Sequence, residues 1–547
     1  MKNSLSALLC LFFCLIITNS SVAQVNEKAF DTLLNTRFPQ HAPGAVALVA
    51  KNGKIIYEKS FGLANLELNV PMSTRHVFRI GSNTKQFTAT AILKLAEENK
   101  LSLQDDIARF IPDYPSSGKL ITIEQLLSHT SGIKDYTGLP AFRDIKRKDL
   151  SPAELVALFK DQPMDFEPGQ DFRYDNAGFV LLGYIIEKVT GQAYGKYINE
   201  NFFQPLGMKN SYYDDAATII PNRIPGYKFA NGNYQNADYL SMTLPYAAGS
   251  LLTTAEDFLT WYEAIERGKV ISLASVKKAQ TSFILPTGRP TGFGYGWEVG
   301  NVQGSGSVKH VGIVNGFVTY TAYLPKEHIF VGIFSNSEAA GDLDMPASQM
   351  AAIALGKPYH FNKKQMPLKQ LIDYTGTFDA GIQGKKLIAA QDSSLVYYSK
   401  GGGKSYLIPC GNDLFYLENS LATLRFLRNS KGRISGYQVS NTGTPVKAIA
   451  TGEPVKPLYS IHLKAEALTK YIGKYAFNSN MTFEVVREGE TLYGKVGQDQ
   501  KEIIPYGTDK FFAKDLDALL LFHTDKNGRV TGLTKIQSTE MNAAKIE

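Results

Sequence analysis

Ser82 and Lys85 stand three residues apart in the stretch Ile80-Gly81-Ser82-Asn83-Thr84-Lys85-Gln86-Phe87. If a helix begins here, the two lie one turn apart on one face. A serine hydroxyl becomes a strong nucleophile when a base takes its proton, and an unprotonated lysine is such a base. The chemistry would be acyl transfer. Gly81 permits a sharp turn, and Phe87, Ala91 and Leu95 follow as an apolar stripe at helical spacing. A serine in a first helical turn also sits among unpaired N–H groups that favour developing negative charge. The same spacing recurs at Ser116/Lys119, Ser131/Lys134 and Ser275/Lys278. Alone, it equally describes a helix-capping serine beside a solvated lysine.

Two further stretches carry chemistry. In Tyr174-Asp175-Asn176, residues two apart in an extended loop point the same way, so Tyr174 and Asn176 would both face a cleft. A phenolate stabilised by a nearby lysine can shuttle protons. Alternatively, Asp175 or Asn176 caps the helix that follows. In His310-Val311-Gly312-Ile313, Gly312 would let a substrate lie against a strand edge, and the Ile313 N–H would point at its carbonyl oxygen. The alternative is a solvated strand histidine. The eight histidines show no metal-ligand spacing, so neither a metal nor another cofactor is expected. Gly292-Phe-Gly294-Tyr-Gly296 reads as a tight aromatic turn rather than a phosphate loop, because no helix clearly follows it.

The elements that must position these residues are legible in outline. Two β-rich runs flank Lys51-Asn52-Gly53-Lys54, and Asn-Gly is the strongest short hairpin signal. The Ser82 helix follows, then a helix-rich region to about Leu206 that includes an apolar helix over Phe179 to Val189. Strands return from Phe293, with Phe317 to Leu324 and His328 to Ser335 as the best runs. Strands first, helices in the middle and strands last predict one antiparallel sheet closed by both ends of a domain.

Together, Ser82-x-x-Lys85, Tyr174-x-Asn176 and His310-x-Gly312, in that order, resemble the serine β-lactamase and penicillin-binding-protein superfamily. The class C-like serine peptidase branch is the nearest match. The resemblance runs over residues 26 to 356. It includes Leu126-Leu-Ser-His129-Thr130-Ser131-Gly132, Phe166-Glu-Pro168-Gly169, Pro205-Leu-Gly207-Met208 and Ala248-Gly249-Ser-Leu-Leu-Thr-Thr-Ala255-Glu-Asp257. It implies an α/β catalytic domain, with an antiparallel sheet sandwiched by helices, and Ser82 as acylated nucleophile. It further implies that Lys85 and Tyr174 share base and acid duties and that Asn176 contacts the substrate amide. The N–H groups of Ser82 and Ile313 would form the oxyanion hole. Where β-lactamases and carboxypeptidases of this superfamily usually carry lysine, this chain has His310. That favours the esterase and D-aminopeptidase-like members. A histidine here is expected to be mostly neutral at neutral pH, and to recover carboxylate binding by protonation below about pH 6.

The last third of the chain repeats itself. Tyr374-Thr-Gly376 recurs as Tyr471-Ile-Gly473, and Leu407-Ile408-Pro409 as Ile503-Ile504-Pro505. Gly411-x-Asp413-x-Phe415 recurs as Gly507-x-Asp509-x-Phe511, and Gly432-Arg433-x-x-Gly436 as Gly528-Arg529-x-x-Gly532. The offset is 96 or 97 each time. Each copy is strand-like, as a small antiparallel barrel requires. The arrangement resembles D-aminopeptidase-type members that append lipocalin-like barrels, although two β modules serving only stability or spacing fit as well. The expected domains are a leader (1–23), the catalytic domain (24–356), a linker (357–365) and two β repeats (366–456 and 457–547).

Composition sets outer bounds. With 547 residues, 44% hydrophobic and 20% charged, the chain reads as an ordinary globular protein of two to four domains. The net charge of +7 is not concentrated in any Lys/Arg run, which argues against nucleic acid and leaves a small molecule or peptide as the expected partner. Lys2, the apolar run Leu5 to Ile17 and Ser21-Val22-Ala23 read as an export signal, too short for a membrane span. Cleavage near Ala23 would leave Cys410 as the sole cysteine, so no intramolecular disulfide is expected. The reading is an exported serine hydrolase, periplasmic or extracellular, cleaving peptides or esters derived from D-amino acids or cell wall. Its alternatives are a promiscuous esterase and a non-catalytic penicillin-recognising protein.

Overall fold

The computed structural model describes residues 27–115, 118–381, 385–391, 394–399, 404–440, 446–452, 462–478, 481–497, 499–513, 518–536 and 540–547. The expected export signal, with Cys10 and Cys14, and Ser116 lie outside these. The chain divides into two compact units between Tyr359 and His360.

The first unit is built on a six-stranded antiparallel sheet. Its strands are β1 (Ala45–Lys51), β2 (Lys54–Phe61), β3 (Glu298–Val302), β4 (Ser305–Val314), β5 (Phe317–Leu324) and β6 (Ile329–Ser335), in the spatial order β3-β4-β5-β6-β1-β2. The early and late segments meet where β1 pairs with β6, from Ala45↔Ser335 to Lys51↔Ile329. The β1–β2 turn is made by Asn52 and Gly53, both left-handed, with φ of +53° and +72°. This is the conformation Asn-Gly adopts at low cost, and it matches strand twist.

Both faces of the sheet are covered. Val46, Leu48, Phe330 and Phe334 pack into a cluster with the central helices. Their neighbours Ala47, Val49, Val331 and Ile333 pack into a second cluster, with Phe30, Leu34 and helix residues Ala347 and Met350. Two-sided burial is why these strands read as continuous apolar runs rather than alternating ones. The helix that carries Lys85, α1 (Thr84–Glu97), is buried from Thr84 to Leu93. It is therefore enclosed on all sides, not only along its apolar stripe. Its polar side chains bond inside the core: Thr88 donates to the Ala247 carbonyl at 2.7 Å, and Gln86 Nε2 to the Tyr262 hydroxyl at 3.2 Å. Phe87 stacks on Trp261, ring centroids 4.0 Å apart. The other elements used below are α2 (Ala177–Thr190), α3 (Ala255–Glu266) and α4 (Asp344–Ala354).

The second unit consists of two closed eight-stranded antiparallel barrels. The first runs from Gly376–Asp379 to Val446–Ala450, the second from Gly473–Asn478 to Glu540–Lys545. First and last strands pair at Phe378↔Ala450 and at Tyr475↔Lys545. The internal repeat holds at the level of atoms. Tyr374 donates to Asp413 at 2.7 Å and Tyr471 to Asp509 at 2.8 Å. The Phe426 and Phe522 amides each reach the corresponding Asp carbonyl at 2.8 Å. Rings Tyr374, Phe415 and Phe426 in one barrel, and Tyr471, Phe511 and Phe522 in the other, fill the same interior positions. Part of the stretch expected to be a linker packs on the first barrel instead: Phe361 stacks on Tyr416 at 4.5 Å, and the Lys364 amide donates to Pro409 at 2.8 Å.

Asp413 and Asp509 are left-handed, with φ of +58° and +59°, and each anchors a buried tyrosine. Asp413→Ala and Asp509→Ala should each destabilise their barrel by about 1–3 kcal/mol, and the Asn variants, which tolerate this φ, by less. Urea midpoints of the full-length variants check this; Ala and Asn variants indistinguishable from wild type would refute it.

Candidate active site

Gly81–Asn83 forms a single 3-10 turn that runs into α1. Gly81 is left-handed (φ +51°), and a Cβ on it would stand 2.7 Å from the Ile313 nitrogen. A Cβ on Gly312 would drive into the Ile80 carbonyl oxygen. The two glycines thus let the nucleophile turn press directly on β4. The expectation that Gly312 clears space for substrate is corrected: the space is taken by the turn itself. Thr319 on β5 locks the contact, donating to the Ile80 carbonyl at 3.0 Å and accepting from the Asn83 amide at 3.0 Å.

Lys85 is wholly buried, and its Nζ lies 3.1 Å from Ser82 Oγ, 2.8 Å from Asn176 Oδ1 and 3.0 Å from the Ala248 carbonyl. Burial pulls its amine down to about 7, against the opposing pull of Asp135 and Asp175. Near neutral pH a large share of Lys85 is therefore an unprotonated base touching Ser82. Of the other S-x-x-K pairs, Lys134 is tied to Asp165 at 2.6 Å and Lys278 to Glu124 at 2.9 Å, while Lys119 pairs with Glu167 at 2.6 Å.

Tyr174 and Asn176 do face the same way. Lys85 Nζ sits 4.9 Å from the Tyr174 ring centroid. Burial raises the phenol well above its ordinary value, and the Ser82 side chain pulls the other way by less. The resting group is a phenol. The intervening Asp175 turns inward and caps α2, accepting from the Gly178 amide at 2.6 Å. Asn176 makes no side-chain cap; its amide donates to Asp135 at 3.2 Å.

Ile313 is placed by strand geometry. Val314↔Phe317 flanks the two-residue turn Asn315-Gly316, so hydrogen-bonded pairs alternate from there to Gly312↔Thr319 and His310↔Thr321. The N–H groups of Val311 and Ile313 then point away from β5. On that side β3 stops pairing at Glu298↔Lys309, leaving an open edge beside the Ser82 turn. The Ser82 and Ile313 amides therefore border one corner, suited to an oxyanion.

His310 is not a solvated group. It is 4% exposed, with Nδ1 2.6 Å from the Val311 carbonyl, so Nδ1 carries the proton. Nε2 is buried without a hydrogen-bond partner among the described residues. Burial, then the Lys85 charge, lowers it to about 3. The expected protonation below pH 6 is thereby overturned: dehydration keeps this imidazole neutral throughout.

Three groups escaped the sequence reading. His129, left-handed at φ +57°, pins the Tyr174 loop twice: its carbonyl accepts from Arg173 at 3.1 Å and its Nδ1 from the Asp175 amide at 3.3 Å. Its ring lies 4.5 Å from that of Tyr174. Asp135 reaches Asn176 from 41 residues away, with no spacing signal to announce it. Phe293, in the glycine-rich aromatic turn, lies 5.9 Å from Tyr174, while Gly296 lets that turn approach the Lys85 carbonyl. In front of Ser82 opens a cleft of about 340 Å³, bordered by Tyr136, Asn176, Ala248, Ile313 and Glu338.

A family model described as Beta-lactamase matches residues 27–355. The chain belongs to the Beta-lactamase family. A second model, a domain of unknown function (DUF3471), matches residues 461–546, the second barrel. Among relatives of the Beta-lactamase family, penicillin-binding protein 4* of Bacillus subtilis (strain 168) is 28% identical over 422 residues, 74% of this chain and 92% of its own. The octameric penicillin-binding protein homologue from Pyrococcus abyssi superposes with a TM-score of 0.55 and 27% identity, over 78% of this chain and 99% of that one. A D-stereospecific amidohydrolase from Streptomyces sp. superposes with a TM-score of 0.52 and 26% identity, over 60% of this chain and 98% of that one. Among the described residues no group of three or more His, Cys, Asp or Glu could hold a metal ion, and no helix is long and apolar enough to cross a membrane.

Since the base form of Lys85 is needed, ester hydrolysis should rise with pH through an inflection near 7 and show no second inflection near 6 from His310. Asp135 holds the Lys85 proton on, so Asp135→Asn should move the inflection to lower pH, by about one unit. A kcat/KM profile from pH 5 to 9 checks both; an inflection unmoved in Asp135→Asn would contradict the electrostatic coupling.

Proposed function

We propose that this protein is an exported serine hydrolase that works through a Ser82 acyl-enzyme on an amide or ester. The observation that carries the reading is the 3.1 Å contact between Ser82 Oγ and the dehydrated amine of Lys85. In this mechanism unprotonated Lys85 takes the Ser82 proton as Oγ attacks the substrate carbonyl. The N–H groups of Ser82 and Ile313 receive the developing oxyanion. Tyr174, a buried phenol beside Lys85, returns a proton to the leaving group, and water then releases the acyl group along the reverse path. Asn176 holds Lys85 in place through Oδ1 and borders the cleft where the substrate amide would lie.

Substrates derived from D-amino acids or cell-wall peptides are the favoured class. The likeness to the D-stereospecific amidohydrolase and to penicillin-binding proteins supports this. So does His310, since a buried neutral imidazole offers no fixed charge for a substrate carboxylate. Amidated or esterified D-amino acids should therefore outperform free-acid dipeptides. The apolar leader followed by small residues supports export.

Ser82→Ala should abolish turnover of a p-nitrophenyl ester, by at least about a thousandfold, and fluorophosphonate labelling mapped by mass spectrometry should fall on the peptide containing Ser82. Retained turnover in a folded Ser82→Ala protein, or a label on Ser131 or Ser275, would refute the assignment. A penicillin adduct without any hydrolysis of amide or ester would instead favour a binding protein.

A further inference from the structure

Among the described residues that border the cleft, Glu338 is the one with a formal charge. It is an exposed side chain held by design of the chain around it. Buried Asn336 ties the end of β6 to the Gly44 amide at 2.8 Å and the Ala64 carbonyl at 3.0 Å, and Ser337 caps the short turn Glu338–Ala340 by accepting from the Ala339 amide at 3.1 Å. Glu338 Oε1 accepts from the Gly316 amide at 2.8 Å, at the tip of the β4–β5 hairpin. This fixes the carboxylate and leaves its second oxygen available. Nearby carboxylates are already spent: Asp238 pairs with Lys228 at 2.5 Å, Asp214 with Arg79 at 2.7 Å and Arg223 at 3.1 Å, and Asp135 accepts from Asn176 and Thr137. Glu338 has no ion-pair partner among the described residues.

We propose that Glu338 is a specificity-determining residue that selects substrates carrying an ammonium or guanidinium group at a distance from the scissile carbonyl. The proposal rests on the serine hydrolase reading of the same cleft. The reach follows from the fold. Gly316 is three residues beyond Ile313, so the carboxylate stands no more than roughly 14 Å from the Ile313 N–H. A side-chain cation of a lysine- or ornithine-like residue at, or next to, the acyl position can reach within that bound. With His310 neutral and Lys85 enclosed, no other charged side chain among the described residues borders the cleft itself, so a substrate carboxylate would be repelled beside Glu338 where a cation is held.

The test compares the p-nitrophenyl esters of Nα-acetyl-lysine and Nα,Nε-diacetyl-lysine, each as D and L enantiomers, at low ionic strength. Wild type should favour the free ammonium by about fivefold in kcat/KM for the preferred enantiomer, the scale of a partly exposed ion pair. Glu338→Gln should bring the ratio near one, and Glu338→Lys should take it below one, in favour of the diacetyl ester. Hydrolysis of both esters with a ratio that Glu338→Gln leaves unchanged would overturn the proposal alone. Hydrolysis of neither would overturn the hydrolase reading and the proposal with it.

Discussion

A lysine amine without water is the constraint on which the site depends. Taking an ammonium out of water costs several kcal/mol, so a buried lysine either finds an anion or gives up its proton. Lys85 has no carboxylate in contact. Its partners are a hydroxyl, an amide oxygen and a backbone carbonyl. None of these carries the full negative charge that would offset the lost hydration, and burial brings the proton affinity down to about 7. Enclosure of α1 on every side is what makes this work. Trp261, Tyr262 and Tyr194 bury the helix, and internal hydrogen bonds hold the Gln86 amide nitrogen and the Thr88 hydroxyl.

The second constraint is contact between two backbones. The oxyanion corner needs the Ser82 and Ile313 amides side by side, which places a 3-10 turn against a strand with no side chain between. Gly81 and Gly312 supply that bare contact, and Thr319 fixes it. His310 fits the same logic. Its ring is folded back on its own strand through the Val311 carbonyl, and it packs beside Tyr174 and Phe293 at centroid distances of 6.0 and 6.4 Å. In this setting it is an uncharged wall of the site, while the charge that faces the cleft is the carboxylate of Glu338.

The two barrels show how a repeat conserves an arrangement while varying its supplier. Each closes on a buried tyrosine bonded to a left-handed aspartate. The cation that attends this aspartate differs. In the first barrel Arg428, from a late strand, pairs with Asp413 at 2.7 Å; in the second Lys470, from the entering helical turn, pairs with Asp509 at 2.6 Å. The hydrogen-bonded core is what the geometry of the turn requires; the partly exposed cation adds little and is free to move.

The sequence by itself determined whatever depends on local patterns. The Asn52-Gly53 hairpin, the apolar helix α2 and the strands β5 and β6 follow from turn chemistry and periodicity, and the barrels from a 96-residue echo. The motif set also placed the chain in its family, because chemistry restricts which residues can stand near Ser82. Tertiary structure decided the properties that depend on water and on partners distant in sequence. Protonation of His310 below pH 6 was misjudged because a motif does not reveal burial. Asp135 and His129 were missed because their contacts with Asn176 and Asp175 cross about forty residues or more without periodicity. Gly312 was assigned to the substrate because a strand glycine announces close approach but not what approaches. Dehydration and long-range contact belong to the folded chain, and they set the charge of every group around Ser82.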